Sequence, residues 1–153
     1  MDKKHTCCVT GHRDIPADKI QYVQMQLRQE LLQAIQSGYT HFISGFAAGV
    51  DMIFAGIVAD LKSEYPITLE AAIPYPGRMD TPDRAFRHLV KVCDTVKVHT
   101  DRYSKGCYMV RNRYMIDCSA LVIAVHDGRK SGGTAATIKY AHKMERDVRE
   151  IWL

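Results

Sequence analysis

The sequence predicts an α/β chain folded as a three-layer α/β/α, Rossmann-like domain with a mostly parallel sheet, and three observations carry that prediction. Short apolar runs rich in β-branched residues alternate with segments whose apolar residues recur every three or four positions. Strands separated by helices in this way imply right-handed parallel crossovers and a sheet covered on both faces. Glycine-containing stretches directly follow three of the runs, at the edge where an open parallel sheet binds its ligands. The 153 residues, 46% hydrophobic and 25% charged, fit a single domain over 1–153 with a core of its own.

The elements follow in order. "HTCCVT" predicts a first strand, in which the adjacent Cys7 and Cys8 point to opposite faces as small buried hydrophobes. After "GHRDIPAD", the spacing of Ile20, Val23, Leu27, Leu31 and Ile35 predicts one buried helical stripe, which Gly38 ends. "THFIS" reads as the second strand, "GFAAGVD" as the opening of a helix to about Lys62, and "ITLEAAIP" as the third strand. The proline and glycine in "YPGRMDTPD" predict a loop before a short helix over 83–92. "DTVKVH" is the fourth strand and "DRYSKG" a loop. A helix over 107–118, the strand "ALVIAV", a glycine loop, a helix to about 145 and the short strand "VREIWL" complete the pattern.

Composition excludes several classes. No apolar run approaches the roughly 18 residues needed to span a bilayer, and "MDKKHTCCVTGHR" lacks the apolar region of a signal peptide. The expectation is a cytoplasmic protein with no membrane partner. Five cysteines, an odd number without a CxxC pair or a matching His and Cys spacing, predict neither a disulfide framework nor a metal site. The net charge of +4 suits an anionic ligand but is ordinary for a small domain, so it does not argue for nucleic acid.

The residues just after strands carry the functional signal. They are Thr10-Gly11-His12-Arg13, then Ser44-Gly45 with Gly49 and Asp51, then Asp127-Gly128 with Ser131-Gly132-Gly133-Thr134. Glycine lets backbone approach a ligand, hydroxyls donate to oxygens, and each following helix directs free N–H groups at the same space, so together they read as a phosphate cradle. Neither GxGxxG nor a Walker loop is present. In "CYMVRNRYMIDCS", Arg111 and Arg113 lie about 200° apart on a helix, so only one of them reaches the site. The other is expected in a surface salt bridge or packed as a guanidinium, and Asn112 in a helix-surface hydrogen bond.

Four residues are candidates for chemistry: Arg111, Asp51, Glu70 and His12. Asp51 is more simply a helix cap or loop orienter, Asp127 a turn residue, and Glu70 either faces the pocket or is an interior outlier. His12 can donate to phosphate, act in acid–base chemistry, or simply pack. The remaining histidines, 5, 41, 88, 99, 126 and 142, show no ligand spacing and read as structural.

"SGFAAGVD" followed by "RNRYMIDCSALVIAVHDGRKSGGTAATIKYA" resembles the SLOG superfamily, which joins the DprA/Smf proteins to the LOG nucleotide hydrolases. With "CCVTGHR" at the start, the compact form is similar to the stand-alone, YpsA-like bacterial members, over nearly the whole chain. The resemblance implies a pocket for a nucleotide or a nucleotide-derived, ADP-ribose-like ligand, often on a homo-oligomer. Carried over by position, Gly11, Ser44, Gly45, Gly49, Asp51, Arg111, Gly132, Gly133 and Thr134 line it. Arg111 matches the arginine with which LOG enzymes split nucleoside monophosphates. In place of their catalytic glutamate, aligning the glycine pair puts Lys139, which supplies no carboxylate. "YPGRMDTPD" lacks the Gln and Trp of YpsA-like proteins and has Arg78 nearby.

Three functions follow in rank. The first is a nucleotide-binding sensor or signalling domain. The second is a nucleoside-phosphate hydrolase or transferase using Arg111 with Asp51 or Glu70. The third is a DprA-like binder of single-stranded DNA, with charge from Lys3, Lys4, Arg13, Arg102, Lys105, Arg111, Arg113, Arg129 and Lys130 and stacking by Tyr103, Tyr108 and Tyr114.

Overall fold

The computed structural model describes residues 2–153. Six strands form one sheet: β1 (Thr6–Gly11), β2 (His41–Ser44), β3 (Thr68–Ile73), β4 (Thr95–Val98), β5 (Leu121–His126) and β6 (Asp147–Trp152). Their order in space is β4-β3-β2-β1-β5-β6, and every pairing is parallel. The chain therefore builds outward from β1 to β4, then returns to lay β5 against the other side of β1. That reversal opens a crevice between the loops after β1 and β5, the place where doubly wound sheets hold ligands.

Five helices connect the strands: α1 (Ile20–Gln36), α2 (Val50–Leu61), α3 (Arg84–Val92), α4 (Cys107–Asp117) and α5 (Gly133–Lys143). One core joins Cys7, Phe42, Leu69 and Ile73 of the sheet to Leu27 of α1, Phe54 of α2 and Phe86 of α3. The other joins Cys8, Ile43, Ala72 and Val122 to Ile116 of α4 and Ala141 of α5. Alternation along each strand divides the two cores, and the adjacent cysteines fall one to each, as the period of two requires.

Three local expectations are corrected. In α1 the buried stripe is Val23, Leu27, Leu31 and Ala34, while Ile35 is half-buried and Ile20 is 39% exposed. Helical side chains lean toward the N-terminus, so Ile20, at the first position, leans past the helix end. The segment "GFAAG" is not helical: Phe46 takes φ 56° and α2 begins only at Val50. Within the proline loop, Pro76–Asp80 forms a 3₁₀ helix.

Candidate functional site

The loops after β1, β2 and β5 enclose one cavity of about 420 Å³. From the end of β1 and the loop after it come Thr10, Gly11, His12, Arg13 and Asp14; from the second loop and the start of α2, Ala47 and Asp51; from the third loop and the start of α5, Arg129, Ser131, Gly132, Gly133 and Thr134. Gly132 stands at φ 98°, ψ 177°, a backbone state open to glycine, and turns the chain into α5. Apart from the adjoining residues and the backbone of α5, no atom lies within 4 Å of where a Cβ would stand on Gly132 or Gly133. The first α5 hydrogen bond runs from Ala136 N to Gly132 O, which leaves the amides before it without helical partners at the cavity wall.

The opposite wall is α4. Tyr108, Arg111 and Asn112 share one helical face and all reach the cavity. Arg111 is only 4% exposed. Its Nη1 donates to the carbonyls of Gly45 and Ala72, and its Nε donates to Asn112 Oδ1 at 2.7 Å. Among the described residues no carboxylate comes within ion-pair distance of it, and Nη2 donates to none of them. A buried guanidinium stays protonated even though burial pulls its pKa down, so positive charge is held at the cavity with one fork of donors unused. Arg113, on the outer face, lies over the ring of Tyr140 at 5.3 Å, the packed guanidinium expected of the second arginine.

Asp51 is the buried carboxylate of the cavity. Its Oδ2 accepts from Ala47 N at 3.2 Å and so orients the second loop. Burial raises its pKa to about 6, against the opposing pull of Arg111. A folded value above the unfolded 3.8 means that its contribution to stability is full below about pH 3.8 and is lost as pH rises through 6. Two units correspond to about 3 kcal/mol. The melting temperature of wild type relative to Asp51→Asn should therefore fall between pH 4 and pH 7. A difference constant over that range in paired thermal melts would contradict this charge state.

His12 is 5% exposed, and its Nε2 lies 3.2 Å from Asp127 Oδ1 and 3.3 Å from Asp127 N. Burial, with Arg129 nearby, lowers its pKa, so the ring is neutral at pH 7 and accepts the amide N–H of Asp127. Asp127 itself is held well below the usual carboxylate range by Arg129, whose Nη2 donates to it at 2.8 Å. Arg129 also reaches Asp14 at 3.4 Å and so clasps the first loop to the third across the cavity mouth.

Several expected site residues lie elsewhere. Ser44 is buried beneath the second loop, donating to Asp51 O and accepting from Phe46 N. Gly49 packs against the backbone of the first loop and Gly128 against the ring of Trp152. Gly45 faces a smaller cavity beside the first, with Arg78. Asp127 is at the rim, acting through His12 and Arg129. Glu70 is an interior residue on the α4 face of β3: His41 Nε2 lies at 2.8 Å from one oxygen and Tyr114 donates to the other. Burial raises the pKa of Glu70, but these two partners outweigh it and leave it below the ordinary value. Lys139 is exposed on α5, away from the cavity.

Tyr108, Asn112, Arg129 and Asp14 are lining residues that the sequence reading did not place in a nucleotide pocket. Tyr108 stands three residues before Arg111 and four before Asn112, and that spacing was the available signal for two of them. With three arginines, four hydroxyls and free amides against two carboxylates, the cavity suits an anionic group flanked by hydrogen-bonding atoms. Among the described residues no cluster of three or more His, Cys, Asp or Glu could hold a metal ion, and no helix is long and apolar enough to cross a membrane.

Comparison with known proteins gives a consistent set of likenesses. The YpsA family, described as the YspA SLOG family, matches residues 7–152. The SPbeta prophage-derived protein YoqJ of Bacillus subtilis is 30% identical over 141 residues, covering 78% of this chain and 82% of that protein. A UPF0398 protein of Enterococcus faecalis is 23% identical over 168 residues, covering 100% of this chain and 93% of its own. Among solved structures, DNA processing protein A from Helicobacter pylori, described for its single-stranded DNA binding mode, superposes with a TM-score of 0.69 at 17% identity. The match covers 97% of this chain and 65% of that one.

Proposed function

The chain belongs to the YpsA-like SLOG family, and from that premise we propose that it binds a phosphate-bearing, nucleotide-derived ligand and serves as a sensor or signalling domain through occupancy of that site. The observation that carries the reading is Arg111: a buried cation with no carboxylate at salt-bridge distance, Asp51 acting on it only from further off, facing the same cavity as the N-terminus of α5. A buried charge without a contacting partner is costly, and an anion bound against it offsets that cost.

Binding without turnover is favoured over hydrolysis. Splitting an N-glycosidic bond needs a carboxylate to support oxocarbenium character or to activate water. Glu70 is engaged in the sheet, and Asp51 is tied to Ala47 N. The test is a thermal-shift series with adenosine monophosphate, adenosine diphosphate and ADP-ribose, with free base assayed in the same mixtures. Wild type should be stabilised, by about 2.7 kcal/mol at a hundred times the dissociation constant. Gly133→Val, at a position with no positive φ and open space for the side chain, should lose the shift while remaining folded, and no base should be released. Base release that disappears in Asp51→Asn would replace the sensor with an enzyme.

The shared fold with a single-stranded DNA-binding protein supports a second reading, in which the arginines at the cavity contact a DNA backbone. Such binding would weaken steeply with added salt as counterions are released. Tight, salt-steep binding of an oligonucleotide with no response to mononucleotides would favour it.

A further inference from the structure

Beyond the main cavity the same sheet edge carries an aromatic group that the nucleotide reading has so far left unused. Tyr75 follows β3, Tyr103 follows β4, and Tyr108 stands in the first turn of α4. Their rings meet edge to face: Tyr75 and Tyr103 at 5.3 Å and 82°, Tyr103 and Tyr108 at 6.3 Å and 73°, Tyr75 and Tyr108 at 6.3 Å and 88°. Tyr108 is also a wall of both the main cavity and the smaller one beside it, and Arg13 lies 5.1 Å from its ring centre.

We infer that Tyr103, braced by Tyr75 and Tyr108, is the platform on which the base of the bound nucleotide stacks. This rests on reading the cavity as a nucleotide site and extends it by naming where the aromatic half goes. Three observations together single out Tyr103, and its exposure is what sets it apart from Tyr75. It is 60% exposed, whereas Tyr75 and Tyr108 are half-buried. Both neighbours stand nearly perpendicular to it, so neither ring of the cluster lies flat against it. Among the described residues no cation lies over it, while Tyr108 already carries Arg13 and, at 6.0 Å, Arg111.

The chemistry of the arrangement selects a nucleobase. The ring is pre-positioned by two others, so little rotamer freedom is lost when a flat group lands on it. It sits one ring beyond the wall that holds Arg111, the order in which a nucleotide presents phosphate, ribose and base. Stacking tolerates any base, because each has a π-face. The predicted ligand class is a 5′-nucleotide with a free base face, and a sugar phosphate without a base binds through the cavity alone.

The test compares adenosine monophosphate with ribose 5-phosphate by calorimetric titration of wild type, Tyr103→Ala and Tyr103→Phe, each checked for an unchanged melting temperature. Wild type should prefer the nucleotide by about tenfold or more. Tyr103→Ala should erase that preference without altering ribose 5-phosphate binding, and Tyr103→Phe should keep it. An intact preference in Tyr103→Ala, equal weakening of both ligands, or equal affinities in wild type overturns the platform while the cavity reading stands. Wild type that binds neither ligand overturns both.

Discussion

Arg111→Ala should lower affinity for adenosine monophosphate about a hundredfold, the largest functional effect expected of any single side chain in the cavity. Hydrogen bonds from a charged donor are worth about 1.5–3 kcal/mol, and a desolvated guanidinium lies at the upper end of that range. The substitution also strips Gly45 and Ala72 of the donor to their carbonyls, so the second loop loses its anchor to α4. Asp51 loses the nearby positive charge that holds its pKa down, and its carboxyl should stay protonated to still higher pH. Arg111→Lys should recover only part of the binding, since an ammonium keeps the charge but not the planar fork. Calorimetric titration of the three proteins decides it; wild-type affinity in Arg111→Ala would sink the assignment.

Gly49→Ala should be among the most damaging single-methyl changes to stability. Gly49 caps the start of α2 at φ 81°, ψ −125°, where an L side chain is strained whatever the space around it. Space is missing as well: a Cβ there would stand 2.5 Å from His12 O and 2.7 Å from Arg13 O, both backbone atoms. The neighbouring Val50 N donates to His12 O at 3.2 Å, so the clash cannot relax without breaking the bond that seats α2 on the first loop. Strain and clash together should cost about 3–5 kcal/mol, a large part of the 5–15 kcal/mol that holds a domain folded. A fall in melting temperature of about 10 °C is expected. Gly56→Ala is the matched control, in mid-α2 with nothing within 4 Å of the added carbon, and should stabilise by about 0.5–1 kcal/mol. Equal melting temperatures for Gly49→Ala and wild type would refute the packing described.

The strands, their parallel pairing and the ligand edge were legible because periodicity is local. Val23, Leu27 and Leu31 announce their face within a dozen residues, and glycine directly after an apolar run marks a turn at the sheet edge. What glycine does not announce is its reason. Gly132 bounds the cavity, Gly49 seats a helix and Gly128 makes room for Trp152, yet the three look alike in the sequence. Glu70 was open between pocket and interior because its partners, His41 and Tyr114, lie 29 and 44 residues away. Ser44 was misplaced for a related reason: a hydroxyl after a strand serves a ligand or its own loop equally well, and here it bonds Asp51 O and Phe46 N. The clasp from Arg129 to Asp14 joins residues 115 apart and had no local sign at all.

The pairing of β1 with β5 has a consequence for the order of assembly. Cys7 lies opposite Leu121, and between them the chain lays down the whole of β2, β3 and β4 with four of the five helices. Closing so long a loop costs entropy before any contact returns it, and parallel pairings of this kind form slowly. The crevice is bounded on one side by the loop after β1 and on the other by the loop after β5, so it does not exist until that closure is made. A chain emerging from the ribosome carries the first wall from its tenth residue onward but has no crevice until the residues beyond 126 are free to fold. Ligand can thus reward only the finished domain, and the time at which binding competence appears during refolding should coincide with the last, slowest gain of native structure.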